Sequence, residues 1–179
     1  LAKVVPMGGV TTLLDVGGGT GLYSYSLLQA NPTLRAVIVE LPEVVRIAED
    51  FAREKGMLDR VEIIEGDMFR IDDLPTAQMV LFSNILHDWD EPECRELTAR
   101  YAAKLPSGGR MLIHDVFLND TMDGPLPIAL YSAALFSVTE GRAYSAAEYR
   151  AMLSAAGLIA DGPMMGTLVH CAVLTGTKP

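Results

Sequence analysis

An α/β fold, with a parallel sheet covered by helices on both faces, is what this 179-residue sequence predicts. Two observations carry the expectation. Short apolar segments alternate with segments of helical periodicity, and no internal repeat or low-complexity tract interrupts them. The first apolar segment also runs through "LLDVGGGTG" straight into a helix, a turn that leaves main-chain amides bare at a helix N-terminus. No Ser/Gly/Pro linker divides the chain, so residues 1–179 read as one domain, long enough to bury a substantial core.

Strands are expected over residues 11–16, 35–40, 61–66, 79–83 and 110–117, each short and rich in apolar residues. The first helix opens after the glycines. In "LPEVVRIAEDFAREKG", Val44, Ile47, Ala48 and Phe51 recur at helical spacing, with Pro42 near the start and Gly56 at the end. "DEPECRELTARYAAKLPSGG" begins with an acidic cap and Pro92 and stops at Pro106 and Gly108. The greasiest run, "PIALYSAALFSV" over 127–138, is broken by serines and a tyrosine and falls short of the roughly 18 to 20 residues of a membrane span. In "SAAEYRAMLSAAG", Ser145 with Glu148 three residues on forms a capping box. "LIADGPMMGTLVHCAVLTGTK" reads as two strands joined by a Gly/Pro turn.

A net charge of −9 makes a phosphate backbone a poor partner, which argues against nucleic acid. The mean hydropathy of +0.25 is high for a domain of this size and assigns some apolar surface to an interface. Cys94 and Cys171 form neither a metal-ligand spacing nor a disulfide framework, so no metal is expected and a reducing cytoplasm fits best. The chain starts at Leu1 with no initiator Met and no signal pattern, so further sequence upstream is expected.

Spacing narrows the ligand. A dinucleotide fingerprint counted from Gly17 needs a third glycine at position 22, where Leu22 stands instead. The run present is Asp15, Gly17, Gly19, Gly21, which resembles the first motif of S-adenosylmethionine-dependent methyltransferases. Glu40 closes the second strand, where doubly wound folds place a carboxylate on ribose hydroxyls; a solvated strand end reads the same. In "EGDMF", Asp67 is placed to accept an adenine amino group, with Met68 or Phe69 on the ring face, though a capping Asp before core residues has the same letters.

The fourth strand ends in "LFSNILHDWDEPE", so His87 and Asp88 fall at a strand carboxyl end, where the reactive group of a ligand points. Many nucleic-acid amino-methyltransferases carry a [DNS]-P-P-[YFW] run here; this chain has Ser83, Asn84, Ile85 and Leu86. A phenol, with pKa about 10, keeps its proton at neutral pH, and a histidine near 6.5 is free to take it during attack. A helix-capping or core histidine is the structural alternative for His87. Asp115, at the end of the fifth strand, is placed to accept the other imidazole N–H and fix the tautomer. His114 and His170 read as core or edge residues, and Trp89 as a packing residue first and a site wall second.

Taken in order, "LLDVGGGTG", "VELPEV", "GDMF", "LHDWDEPECRELT" and "LPSGGRMLIHD" resemble the catalytic domain of the plant caffeate-type O-methyltransferase family, whose bacterial members modify polyketides, carotenoids and other aromatic or polyenoid metabolites. The resemblance covers essentially the whole chain, and the H-D-W run is its most specific part. It implies a Rossmann-like class I methyltransferase fold whose mostly parallel seven-stranded sheet ends in an antiparallel strand. It further implies S-adenosylmethionine as donor, a small-molecule acceptor, a histidine base, and an upstream dimerisation domain that makes the full-length protein a homodimer. Carried over, Gly17, Glu40, Asp67, Met68 and Ser83 correspond to cofactor contacts, beside Asp15, Gly19, Gly21 and Phe69 from the motif reading. His87 corresponds to the base and Asp115 to its acidic partner, while Asp88, Tyr131 and Phe136 are the candidates on the acceptor side. An apolar helix facing the core would give Tyr131 and Phe136 equally well.

Two departures stand out. Ser83 occupies a position where many plant members have Lys. The family's G-[KR]-E-R-[ST] run, whose Glu also contacts the histidine, reads here Gly141, Arg142, Ala143, Tyr144, Ser145, so the second acid is absent. Glu140 and the Tyr144 hydroxyl are the candidates to replace it. Methylation of a small-molecule hydroxyl is the leading reading. The alternatives are carbon methylation or other chemistry on the same fold, and a non-catalytic cofactor-binding or dimerisation module.

Overall fold

The structure is a computed structural model and describes residues 1–168 and 170–179. Its elements run β1 (Thr12–Val16), α1 (Leu22–Ala30), β2 (Arg35–Glu40), α2 (Pro42–Glu54), β3 (Val61–Glu65), β4 (Met79–Ser83), a 3-10 turn over Leu86–Asp88, α3 (Glu91–Ala102), β5 (Arg110–Leu118), α4 (Leu126–Val138), β6 (Tyr144–Ser145), α5 (Ala146–Ala155), β7 (Met165–Gly166) and β8 (Cys171–Thr177). All five expected strands are present, each boundary within one residue.

The sheet order is β3-β2-β1-β4-β5-β8-β7, with β6 paired to β5 off this path. Strands β1 to β5 are parallel to their neighbours, and β8 runs antiparallel to β5. The Rossmann-like expectation therefore holds: seven strands follow one path, and the strand last in sequence, β8, is the antiparallel one, set between β5 and β7. The additional strand, β6, is two residues beside Phe117 and Leu118. Strand order reverses between the parallel neighbours β1 and β4, so the crevice at their carboxyl ends is the switch point where such sheets hold ligands.

Alternation across the pleat explains the near-continuous apolar strands. Leu14, Val16, Val80, Phe82, Met111 and Ile113 pack with Leu97, Tyr101, Tyr149 and Leu153 from α3 and α5. Leu13, Met79, Leu81 and Leu112 pack on the other face with Tyr25, Leu27 and Leu28 from α1 and Ala52 from α2. Helix α5 starts as expected: Glu148 N–H donates to Ser145 Oγ at 3.2 Å, and Ser145 N–H to Glu148 Oε2 at 2.7 Å.

Helix α4 is different. It buries Ile128 and Leu135 but leaves Leu126, Leu130, Phe136 and Val138 exposed, so part of the surplus hydropathy is concentrated on this one helix. Among the described residues no helix is long and apolar enough to cross a membrane.

Candidate active site

The glycine run turns the chain from β1 into α1 across the switch point. Gly17 N–H donates to Val39 O at 3.0 Å, drawing the loop onto β2. Its φ is +65°, and a Cβ there would lie 2.6 Å from Ile85 Cδ1. Gly21, the N-cap of α1 at φ +82°, would put a Cβ 2.7 Å from Ile38 Cδ1 and the Tyr25 ring. The left-handed φ calls for glycine at both positions, and at Gly21 the buried Tyr25 ring leaves no room for a Cβ as well. Gly19 N–H donates to Glu40 Oε1 at 2.6 Å, and Leu41 N–H to Oε2 at 2.9 Å, so the carboxylate at the end of β2 ties the loop down.

Asp15 lies beneath this loop. It is buried, Ser24 Oγ–H donates to its Oδ2 at 2.6 Å, and its Oδ1 has no partner among the described residues. Burial pushes its pKa up to about 7; the Ser24 bond opposes this and the Glu40 charge adds to it. The folded chain thus holds this proton more tightly than the unfolded one. The stability it contributes is complete below the ordinary carboxylate value of about 4 and is lost as pH rises through the folded value. Asp15→Asn is expected to flatten that dependence: between pH 5 and pH 8 the native chain should lose more melting temperature than the variant, as read by calorimetry.

A cleft of about 320 Å³ opens beside the loop, lined among others by Gly17, Glu40, Asp67, Met68, Phe69, Asp88 and Trp89. Asp67 Oδ1 accepts from Phe69 N–H at 2.9 Å, Tyr101 O–H donates to Met68 O at 3.1 Å, and the Phe69 and Trp89 rings meet edge to face at 4.7 Å. Three carboxylates, a glycine at left-handed φ, and a thioether beside aromatic rings suit a ligand with hydroxyl-bearing, amino and flat heteroaromatic parts. The residues therefore fit S-adenosylmethionine, and the volume is within the range of small-molecule sites.

His87 sits on the 3-10 turn after β4, only 4% exposed. Its Nδ1 is 2.6 Å from Asp115 Oδ1, which also accepts from Val116 N–H at 2.8 Å. Its Nε2 lies 3.3 Å from the Tyr131 hydroxyl and 3.7 Å from Asp88 Oδ1. Burial alone would lower the His87 pKa; the hydrogen bond to Asp115, with the charges of Asp115 and Asp88, more than reverses this and holds it above the usual value. Burial and the same two carboxylates raise the Tyr131 pKa, keeping that phenol protonated. These partners assign the proton to Nδ1 and leave the Nε2 lone pair facing a phenolic O–H.

The structure does not gather every expected residue. Ser83 Oγ pairs with His114 Nδ1 at 2.8 Å; His114 Nε2 meets Thr167 Oγ1 at 3.0 Å, and that hydroxyl donates to Cys171 O. Thr167 thus spends its one proton elsewhere, so His114 donates from Nε2 and accepts from Ser83. Tyr131 reaches the base, whereas Phe136 is 79% exposed on a groove with Leu118, Met122 and Arg142. Tyr144 O–H donates to Trp89 O at 2.7 Å. One residue at the site had no place in the sequence reading: Tyr149 O–H donates to Asp115 Oδ2 at 3.2 Å. Among the described residues no group of three or more His, Cys, Asp or Glu could hold a metal ion.

The profile of the O-methyltransferase domain matches residues 1–159. The 3-hydroxy-5-methyl-1-naphthoate 3-O-methyltransferase of Streptomyces sahachiroi is 39% identical over 158 residues, 88% of this chain and 46% of that protein. The L-tyrosine C(3)-methyltransferase of Streptomyces lavendulae is 38% identical over 161 residues, 88% of this chain and 43% of that protein. The crystal structure of an O-methyltransferase family 2 protein from Planctomyces limnophilus, a complex with apigenin, matches with a TM-score of 0.95 at 46% identity, over 99% of this chain and 56% of that one. The chain spans about half the length of the relatives it matches.

Proposed function

Since the chain belongs to the O-methyltransferase family, we propose that it moves a methyl group from S-adenosylmethionine to a phenolic hydroxyl of a small aromatic secondary metabolite, with His87 as general base. S-adenosylmethionine is the cofactor of this domain and, when bound, supplies a methyl group on a positively charged sulfur. Glu40 and Gly19 would hold its ribose end, and Asp67, Met68 and Phe69 its adenine. Nε2 of His87 takes the acceptor proton as oxygen attacks, while Asp115 fixes the ring and balances the imidazolium that forms. Asp88 and Tyr131 flank the acceptor hydroxyl.

The observation that carries this reading is the pairing at His87: a carboxylate at 2.6 Å on one nitrogen and an aromatic hydroxyl, from Tyr131, at 3.3 Å on the other. A phenol already meets the base in the arrangement an acceptor needs. The L-tyrosine C(3)-methyltransferase relative supports a second reading, because a deprotonated phenol is also nucleophilic at its ring carbons and the same base would serve. The bare apolar side of α4 is, on this account, covered in the full-length homodimer by the part of its relatives that this chain does not span. Paired bicyclic acceptors differing only in a free or a masked hydroxyl test the proposal. Consumption of the free phenol alone is expected, and equal consumption of both would refute it.

A further inference from the structure

We infer that Tyr149 is a positioning residue for the base, its hydroxyl holding the Asp115 carboxylate in register with His87 in a chain that has Ala143 at the motif position of the second acid. The inference rests on His87 being the base of the proposed reaction. Asp115 is buried, and its Oδ1 is already taken by His87 Nδ1 and Val116 N–H. Its Oδ2 accepts from Tyr149 at 3.2 Å, and a buried carboxylate oxygen left without such a donor is costly. The Tyr149 side chain is wholly buried, and burial, followed by the Asp115 charge, pushes its pKa well above the ordinary phenol value, so the group is a permanent donor.

Packing does not account for that oxygen. A phenylalanine would present the same ring to Phe117, 5.5 Å away, and to Tyr144, 5.3 Å away. The only bond described for the hydroxyl goes to the carboxylate that orients the base. The phenol is also delivered from a fixed point, the first turn of α5, which the Ser145–Glu148 capping box and the 2.6 Å Arg142–Glu148 ion pair hold in place. Neither neighbour from the degenerate motif can do this. Ala143 has no polar group, and Tyr144 spends its hydroxyl on Trp89 O.

A neutral donor acts differently from the acid it replaces. A second carboxylate would add negative charge beside the imidazole, whereas the phenol draws charge from Asp115 and limits how far that residue raises the His87 pKa. Around this pair stand Asp88, Cys94, Tyr131, Tyr144 and Cys171, and Tyr149→Phe changes none of them.

The test is Tyr149→Phe, with the histidine ring signals titrated by NMR in the donor-free chain and with turnover measured alongside. The sequence holds three histidines, and the signal missing from His87→Ala identifies the one required. The His87 titration should move up by about half a pH unit. At saturating donor and acceptor kcat should fall about 5- to 10-fold, with acceptor KM and donor affinity unchanged, because only the base loses its alignment. An unmoved titration overturns the inference, whatever happens to melting temperature or rate. The NMR arm needs no turnover: a shifted titration in a chain that methylates no phenol would keep the positioning role and reject the proposed reaction. A phenol-methylating native chain with an unmoved variant would do the reverse.

Discussion

Replacing His87 by alanine should cut methyl transfer to a phenolic acceptor by about 10²- to 10⁴-fold, the usual worth of a placed general base. Donor affinity should stay where it was. The cleft proposed for the donor is lined among others by Gly17, Glu40, Asp67, Met68 and Phe69, and His87 is not among its walls. The substitution also leaves Asp115 buried without the imidazole at 2.6 Å, so some stability is lost with the activity. Single-turnover rates with calorimetric donor titration, taken well below the melting transition, separate the two effects. A variant that binds donor normally and turns over at the native rate would exclude His87 as the base.

Glu40→Gln should act in the opposite place. Glu40 accepts from Gly19 N–H at 2.6 Å and from Leu41 N–H at 2.9 Å while lining the cleft, so one carboxylate both shapes the loop and offers charge to a ligand. The amide keeps the size of the side chain but removes the charge and one of the two acceptor oxygens, so it loosens the loop as well as the ligand contact; a hydrogen bond to a charged group is worth about 1.5 to 3 kcal/mol, roughly 10- to 100-fold in affinity. S-adenosylmethionine affinity should fall by that factor, while kcat at saturating donor changes little. NAD serves as the control ligand and should not bind the native chain, because Leu22 stands where the dinucleotide spacing needs glycine. An unchanged donor affinity in the variant would remove Glu40 from the donor site.

What could be read from the sequence was local or periodic. The β2 boundary at Glu40, the capping box at Ser145 and Glu148, and His114 as a buried residue all follow from short-range patterns, and the structure has each of them. The His87–Asp115 pair was also legible, because parallel strands deliver their carboxyl ends to one edge of the sheet, whatever the details of packing. Tyr149 was not. It meets Asp115 across 34 residues, only because α5 packs beside the end of β5, and a tyrosine in a helix carries no mark of that. For the same reason Ser83 gave no hint that His114 would take its hydroxyl, and Phe136 none that it would face outward while Tyr131 turned to the base. The two-residue β6 is too short for any period to reveal.

In the proposed reaction His87 frees an aromatic oxygen to accept the methyl group. Donor carrying a ¹³C-labelled methyl group, turned over with a phenol that the chain consumes, tests it directly, because carbon NMR of the product distinguishes a methoxy carbon from an aryl methyl carbon. The label is expected in a methoxy group, lost together with turnover in His87→Ala; label on a ring carbon would overturn oxygen as the methylated atom.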